Sequence, residues 1–268
     1  MLPRLRLVTR LLAFLLAMLF SATLACLIKG VELIRRRPVD RSPWARLCFN
    51  LARRSLGIRV TRTGMPADAP VMFVSNHVSW ADIPVLGGIA PLRFLSKAEV
   101  GRWPGIGWLA KQAGTLFIQR GTGQSDQRRR CLSQALLGGE SVLVFPEATT
   151  SSGESVLPFH GKLLTAAVDA DTAIQPISLC YLRDGQPCEI APFIGDDDFR
   201  EHLVRMLSLP AVEVAVTFHA PVHFAGTTDP GSMARQLHAV VQQGLDDLRP
   251  GPDSQTNARP AVSSSSVA

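Results

Sequence analysis

Charge is absent from Leu11 to Ile28, where LLAFLLAMLFSATLACLI gives eighteen residues in a row without Asp, Glu, Lys or Arg. As a helix, that run is close to the shortest that crosses the hydrocarbon core of a bilayer. Arg4, Arg6 and Arg10 lead into it, and Lys29, Arg35, Arg36 and Arg37 follow. Basic residues on both flanks leave the orientation of such a helix open. The small residues of SATLAC behind a positive N-terminus also fit a cleaved leader, against which the length of the run and the arginines after it both weigh. From Ser42 to Ile58, SPWARLCFNLARRSLGI sets Trp44, Leu47, Leu51 and Leu56 near helical spacing with arginines between them. That pattern fits a helix lying in a membrane interface and equally an ordinary packing helix.

Beyond residue 60 the period changes repeatedly. PVMFVS reads as a buried strand, ADIPVLGGIA as a short helix, RFLSK as a strand, PGIGWLAKQAG as a helical or looped return, and GTLFIQR as a third strand. Ser125 or Asp126 can cap the helix through QRRRCLSQALLGG, which Gly138 and Gly139 stop before the strand SVLVFP. GKLLTAAVDA and AIQPISLCYL repeat the helix-then-strand order, and DDFREHLVRMLSL, AVEVAVTFHA and SMARQLHAVVQQGLDDL add a helix, a strand and a closing helix. The expectation is an α/β fold, a single mixed sheet flanked by helices, carrying an N-terminal membrane-anchoring helical segment. Residues 1–60 form the anchor and amphipathic helix, 61–248 the main domain, and 249–268, rich in Pro and Ser without an apolar period, a disordered tail.

Charge sharpens this division. Of the 28 Lys and Arg residues, twelve lie up to Val60 against only Glu32 and Asp40 there, so the formal net charge of +6 belongs to the N-terminus. A membrane surface suits that distribution better than nucleic acid, because Tyr181 is the single tyrosine and no basic surface interleaved with aromatics occurs in the main domain. Cys26, Cys48, Cys131, Cys180 and Cys188 are scattered, without a C-x-x-C pair or metal-ligand spacing. They read as reduced thiols in a domain facing the cytoplasm, with no metal site.

The candidate chemistry begins at NHVSWAD, Asn76 to Asp82. On one straight helix His77 and Asp82 would point about 140° apart, so a bond between them requires a bend. Ser79 offers one: Ser79 and Asp82 form a Ser-x-x-Asp capping pattern that leaves His77 ahead of the helix, free to turn back. An alternative is that Asp82 is only a capping carboxylate and His77 a structural residue.

Three more segments complete a set. NHVSWAD resembles the N-H-x-x-x-x-D signature of the glycerolipid acyltransferases typified by 1-acylglycerol-3-phosphate O-acyltransferase, and GTLFIQR resembles their G-x-x-F-I-x-R block. FPEATTS is similar to their F-P-E-G-T block, and AIQPISL to their apolar block containing a proline. All four stand in the family's order between Val71 and Leu179, which is far more specific than any one of them.

The resemblance implies transfer of a fatty acyl chain from a thioester of coenzyme A or acyl-carrier protein to a lipid hydroxyl, forming phosphatidic acid at a membrane, without a cofactor. His77 would be the general base and Asp82 its orienting partner, the lipid hydroxyl standing where a serine protease has its serine. No G-x-S-x-G elbow occurs, which favours direct transfer over an acyl-enzyme. Arg120 matches the family's phosphate-binding arginine and Glu147 its acceptor-site glutamate. Asn76, Thr149, Thr150 and Lys97 are further candidates for substrate contact. The chain departs from the family at Ala148, where glycine is usual; the added methyl restricts positive φ and the close approach of a ligand. A related group acylates lyso-ornithine lipid, whose headgroup has no phosphate, and Ala148 marks acceptor choice as the property most open to change; the same departure leaves a noncatalytic lipid-binding homologue as a further alternative.

Overall fold

The computed structural model describes residues 3–68, 70–118 and 125–249. Eight helices occur among them: α1 (Pro3–Arg35), α2 (Ser42–Ser55), α3 (Asp82–Gly87), α4 (Ile106–Gln112), α5 (Ser125–Leu137), α6 (Thr165–Asp169), α7 (Phe199–Ser208) and α8 (Pro230–Leu248). The strands are β1 (Ile58–Thr63), β2 (Met72–Ser75), β3 (Arg93–Lys97), β4 (Leu116–Ile118), β5 (Val142–Val144), β6 (Ile174–Arg183), β7 (Gln186–Pro187) and β8 (Val212–Phe218). They form one sheet in the order β1-β8-β6-β2-β5-β3-β4, with β7 pairing the far end of β6. β6 meets β8 and β7 antiparallel, and every other pair is parallel, so the sheet is mixed.

The central strand shows why the sequence folds this way. All four residues of β2 are buried, as a parallel strand covered on both faces demands. Alternate side chains feed opposite layers: Phe73 joins the core of Val85, Leu86, Leu179 and Met206, while Met72 and Val74 join that of Leu132, Leu136, Ala167 and Leu237. α3 and α7 therefore cover one face and α5, α6 and α8 the other. α7 and α8 each start where the sequence permits, since Asp198 accepts the N–H of Arg200 and Glu201, and Asp229 accepts that of Ser232.

Two strands add to the sequence reading. β1 crosses the boundary drawn at residue 60 and pairs in parallel with β8. Its alternation of Ile58 and Val60 with Arg59 and Thr61 was the available signal, hidden because the run from Ser42 to Ile58 reads as one amphipathic helix. β7 is two residues long and is formed by its hairpin with β6 alone. Residues 250–268, which hold nearly all of the expected tail, lie outside the described residues.

The N-terminal helices lie against the domain. α1 is 33 residues long, with a mean hydropathy of 2.6 in its most apolar window, of which 11% is buried. Near its start, Arg6 donates to the Ser208 carbonyl at 3.1 Å and Arg10 to that of Leu209 at 2.6 Å, supplying cations and donors to the C-terminus of α7. Gly57, at φ +76°, makes room for the Arg10 guanidinium, which a Cβ there would meet at 2.0 Å. Near its end, Glu32 binds Arg41, which in turn donates to the Gln112 side chain at 2.8 Å at the end of α4. Arg6 and Glu32 are about 39 Å apart along a straight helix. Contacts that far apart lay α1 along the flank of the domain, instead of sending it away from one end. α2 packs Phe49 edge-on to Phe94 and Asn50 against Gly88, yet keeps Trp44 and Leu47 exposed. It is thus a packing helix on one side and an apolar surface on the other.

Candidate active site

Strand register assembles the site. Val74 of β2 pairs with Val144 of β5, so the residues three further on, His77 and Glu147, leave the sheet side by side. Arg93 of β3 pairs with Val142, which brings Lys97 level with Pro146. β6 also runs parallel to β2, Ser75 pairing with Ile177. The candidates therefore gather at the carboxyl edge of parallel strands, where α/β sheets leave room for ligands.

His77 turns back as the spacing required. Its Nδ1 lies 2.7 Å from Asp82 Oδ2, in a pair whose side chains are 19% and 0% exposed. The same oxygen accepts the N–H of Val78 at 2.8 Å and of Ser79 at 3.1 Å, which fixes the bend. Only the carboxylate half of the expected capping pattern forms. The buried Ser79 hydroxyl has no hydrogen-bond partner among the described residues. Phe145 stacks on the imidazole at 3.8 Å and 11°, holding the ring plane. With Nδ1 committed to a carboxylate, the neutral ring carries its proton there, and Nε2 is the nitrogen left to act as a base.

Glu147 takes a place different from the substrate-facing one expected of it. It is 4% exposed, and its two oxygens accept the backbone N–H of His77 at 2.6 Å and of Leu157 at 2.9 Å. Burial pushes its carboxyl above the ordinary glutamate value, against the pull of those two donors. In this structure Glu147 clamps the backbone of His77. Ser151 adds a second clamp, its N–H donating to the His77 carbonyl at 2.8 Å. Asn76 is likewise turned inward: it is 1% exposed and exchanges two 2.9 Å hydrogen bonds with the backbone of Leu179, extending the β2–β6 ladder through a side chain.

Ala148 adopts φ +59°, the left-handed conformation in which glycine is favoured, and is exposed. A methyl-bearing residue in that conformation costs about 1 kcal/mol. Thr149 beside it is exposed, whereas the Thr150 hydroxyl donates to the Phe193 carbonyl. Lys97 stands exposed at the end of β3, two strands from His77. Arg120 lies outside the described residues, as does the rest of its block after Ile118.

Two residues missed by sequence reasoning join the site. One is Phe145, the first residue of the FPEATTS block, whose stacking on His77 shows only once β5 is placed beside β2. The other is Tyr181, 4% exposed, whose hydroxyl donates to Asp82 Oδ1 at 2.7 Å. Its burial on a strand disguised it as core.

Comparison with known proteins gives a consistent result. The Acyltransferase family model matches residues 57–180. A lyso-ornithine lipid O-acyltransferase of Pseudomonas aeruginosa is 45% identical over 210 residues, spanning 78% of this chain and 79% of that protein. A 1-acyl-sn-glycerol-3-phosphate acyltransferase of Neisseria gonorrhoeae is 32% identical over 198 residues, spanning 74% of this chain and 78% of the other. The crystal structure of the 1-acyl-sn-glycerophosphate (LPA) acyltransferase of Thermotoga maritima superposes with a TM-score of 0.60, at 24% identity, over 92% of this chain and all of that one. The last comparison speaks to the fold alone: the mixed sheet with flanking helices and an apolar N-terminal helix.

Proposed function

The chain belongs to the acyltransferase family, and from that premise we propose that it acylates the free hydroxyl of lyso-ornithine lipid at a membrane surface, using an acyl thioester as donor. That it is an acyltransferase of lipid metabolism follows from the family and its relatives. The choice of acceptor is carried by one observation, the 45% identity to the Pseudomonas enzyme across most of both chains. Acyl-sn-glycerol-3-phosphate, which the four sequence blocks put first, becomes the second reading, supported by the 32% match to the Neisseria enzyme.

The geometry supplies the reaction. An alcohol is a weak nucleophile at neutral pH, and His77 Nε2 removes its proton as its oxygen attacks the thioester carbonyl. Asp82, bound to Nδ1, holds the ring and stabilises the imidazolium that forms. Collapse of the tetrahedral intermediate breaks the C–S bond, and the imidazolium returns its proton to the departing thiolate. Glu147, Ser151 and Phe145 fix the backbone and the ring so that Nε2 does not wander.

Arg120, matched by the resemblance to the family's phosphate-binding arginine, takes the headgroup anion, a carboxylate on the ornithine lipid or a phosphate on the glycerolipid. Coenzyme A and acyl-carrier protein both present the same thioester. The flank of α1 and α2, with Leu11, Leu12, Leu15, Leu16, Leu19 and Trp44 exposed, seats the domain on lipid with its site toward the cytoplasm.

The test is acyl transfer by detergent-purified protein to lyso-ornithine lipid and to lysophosphatidic acid, with both donors, alongside His77→Ala. Product from the ornithine lipid that depends on His77 supports the proposal. Product from lysophosphatidic acid alone moves the enzyme to the second reading.

A further inference from the structure

The Asp82 carboxylate has no idle oxygen. Oδ2 serves the His77 ring and the N–H groups of Val78 and Ser79, and Oδ1 receives the phenol of Tyr181. Four donors match the acceptor sites a carboxylate offers. Tyr181 can reach this oxygen because β6 outruns its neighbour. Pairing with β2 ends at Ser75 and Ile177, and β6 continues to Arg183. Ile177, Leu179 and Tyr181 share the face that packs with α3, at whose first residue Asp82 lies. β8 fixes the overhang from one side, Tyr181 pairing with Val214, and the Tyr181 carbonyl accepts the Cys188 N–H at 2.9 Å on the other.

We propose that Tyr181 is a positioning residue for the His77 base: its phenol pins the second oxygen of Asp82, so that the first is presented squarely to Nδ1, and it tempers the negative charge that the imidazolium meets. The proposal rests on the acyl-transfer reading of His77. Complete burial, and then the Asp82 charge with Cys188 nearby, hold the Tyr181 phenol well above the ordinary tyrosine value, so it remains a proton donor throughout the working range. A phenol in this position differs from a core phenylalanine by one hydroxyl, and that hydroxyl is aimed at the orienting carboxylate.

Tyr181→Phe removes only the hydroxyl. The expected result is a fall in kcat of about tenfold with KM little changed, the scale of one charge-assisted hydrogen bond acting through another group. A carboxylate without this donor holds the imidazolium more firmly, so the acidic limb of the kcat/KM profile moves to higher pH. Loss of packing alone would lower activity in proportion at every pH and leave the limb in place. Wild-type kcat with an unmoved limb overturns the proposal.

A second measurement stands apart from turnover and from the folding of that variant. Tyr181 is the only tyrosine in the chain, so labelling tyrosine with 13C at the ring carbon bearing the hydroxyl gives the full-length protein in detergent a single resonance. Asp82→Asn is expected to shift that resonance and bring its titration to lower pH; an unmoved resonance overturns the link. His77→Ala separates the two levels. Retained acyl transfer in that variant would refute the base and the positioning role built on it, while the resonance would still report the Tyr181–Asp82 contact.

Discussion

The loop from His77 to Asp82 and the helical pair α1–α2 solve opposite problems. In and around the loop, polar groups have been taken out of water, and nearly every one is held by a backbone or side-chain partner; Asp82 at 0% exposure and Glu147, which reaches the loop from beyond β5, at 4% together accept six hydrogen bonds. In the helical pair, apolar side chains have been left in the open, Leu15 at 56% and Leu19 at 63%, while a few arginines tie the ends to the domain. A buried charge without partners costs several kcal/mol, so the loop must be rigid to exist at all. Exposed leucines carry no such directional demand and need only an apolar phase to cover them. One region is built for position and the other for partition.

Substitutions that act on one region alone break the comparison cleanly. The largest effect belongs to His77→Ala, expected to lower kcat about a thousandfold or more with little change in Tm, read by acyl transfer and thermal denaturation of the same sample. Next, Leu15→Asp combined with Leu19→Asp on one exposed face of α1 should weaken binding to phospholipid vesicles roughly a hundredfold. Turnover in detergent should be preserved, as co-sedimentation and a detergent assay would show. Loss of activity in detergent would mean that α1 shapes the site as well as delivering it.

Glu147→Gln sharpens the loop side. The amide keeps one acceptor and turns a donor toward a backbone N–H, so kcat should fall about tenfold to a hundredfold. The sign of its pH effect follows from burial. The folded state binds the Glu147 proton more tightly than the unfolded chain, so this group's contribution to stability is full below pH 4.5 and is lost as pH rises through its raised value. Tm measured against pH should be flatter over that window in the glutamine variant.

Two smaller effects test how the regions are joined and where strain is kept. Arg10→Ala strips a donor from the C-terminus of α7 and should cost about 1–2 kcal/mol in denaturant unfolding, leaving kcat in detergent near wild type. Ala148→Gly relieves a left-handed alanine and should gain about 1 kcal/mol, unless the glycine's greater freedom when unfolded offsets it. If Ala148 governs acceptor choice, the ratio of ornithine-lipid to glycerophosphate turnover changes in the same variant.

The sequence made much of this legible, and unevenly. β2, β3, β5, β6 and β8 could be read because short β-branched and apolar runs between turns leave little other choice, and α8 because its apolar period is long. β1 and β7 escaped, one joined to the end of an amphipathic helix and the other defined only by its partner. At the site, the spacing of NHVSWAD allowed a His77–Asp82 contact, which the structure forms, and the resemblance to the family gave that pair its expected catalytic role. The same spacing overstated Ser79, whose hydroxyl does not cap α3, and assigned Asn76 and Glu147 outward roles that burial reversed. Nothing in a one-dimensional pattern states which side of a side chain water occupies.

By itself, then, the sequence determined the order of elements, the charge and apolar character of the N-terminus, and the presence of a His-Asp pair, because these depend on local periodicity and spacing. Tertiary structure alone decided that Glu147 grips the His77 backbone, that α1 lies along the domain with Arg10 on α7, and that Tyr181 meets Asp82. Each of those contacts joins residues 70 to 199 positions apart. Strand register and the packing of helices across the sheet bring them together, and neither is written in the neighbourhood of any one residue.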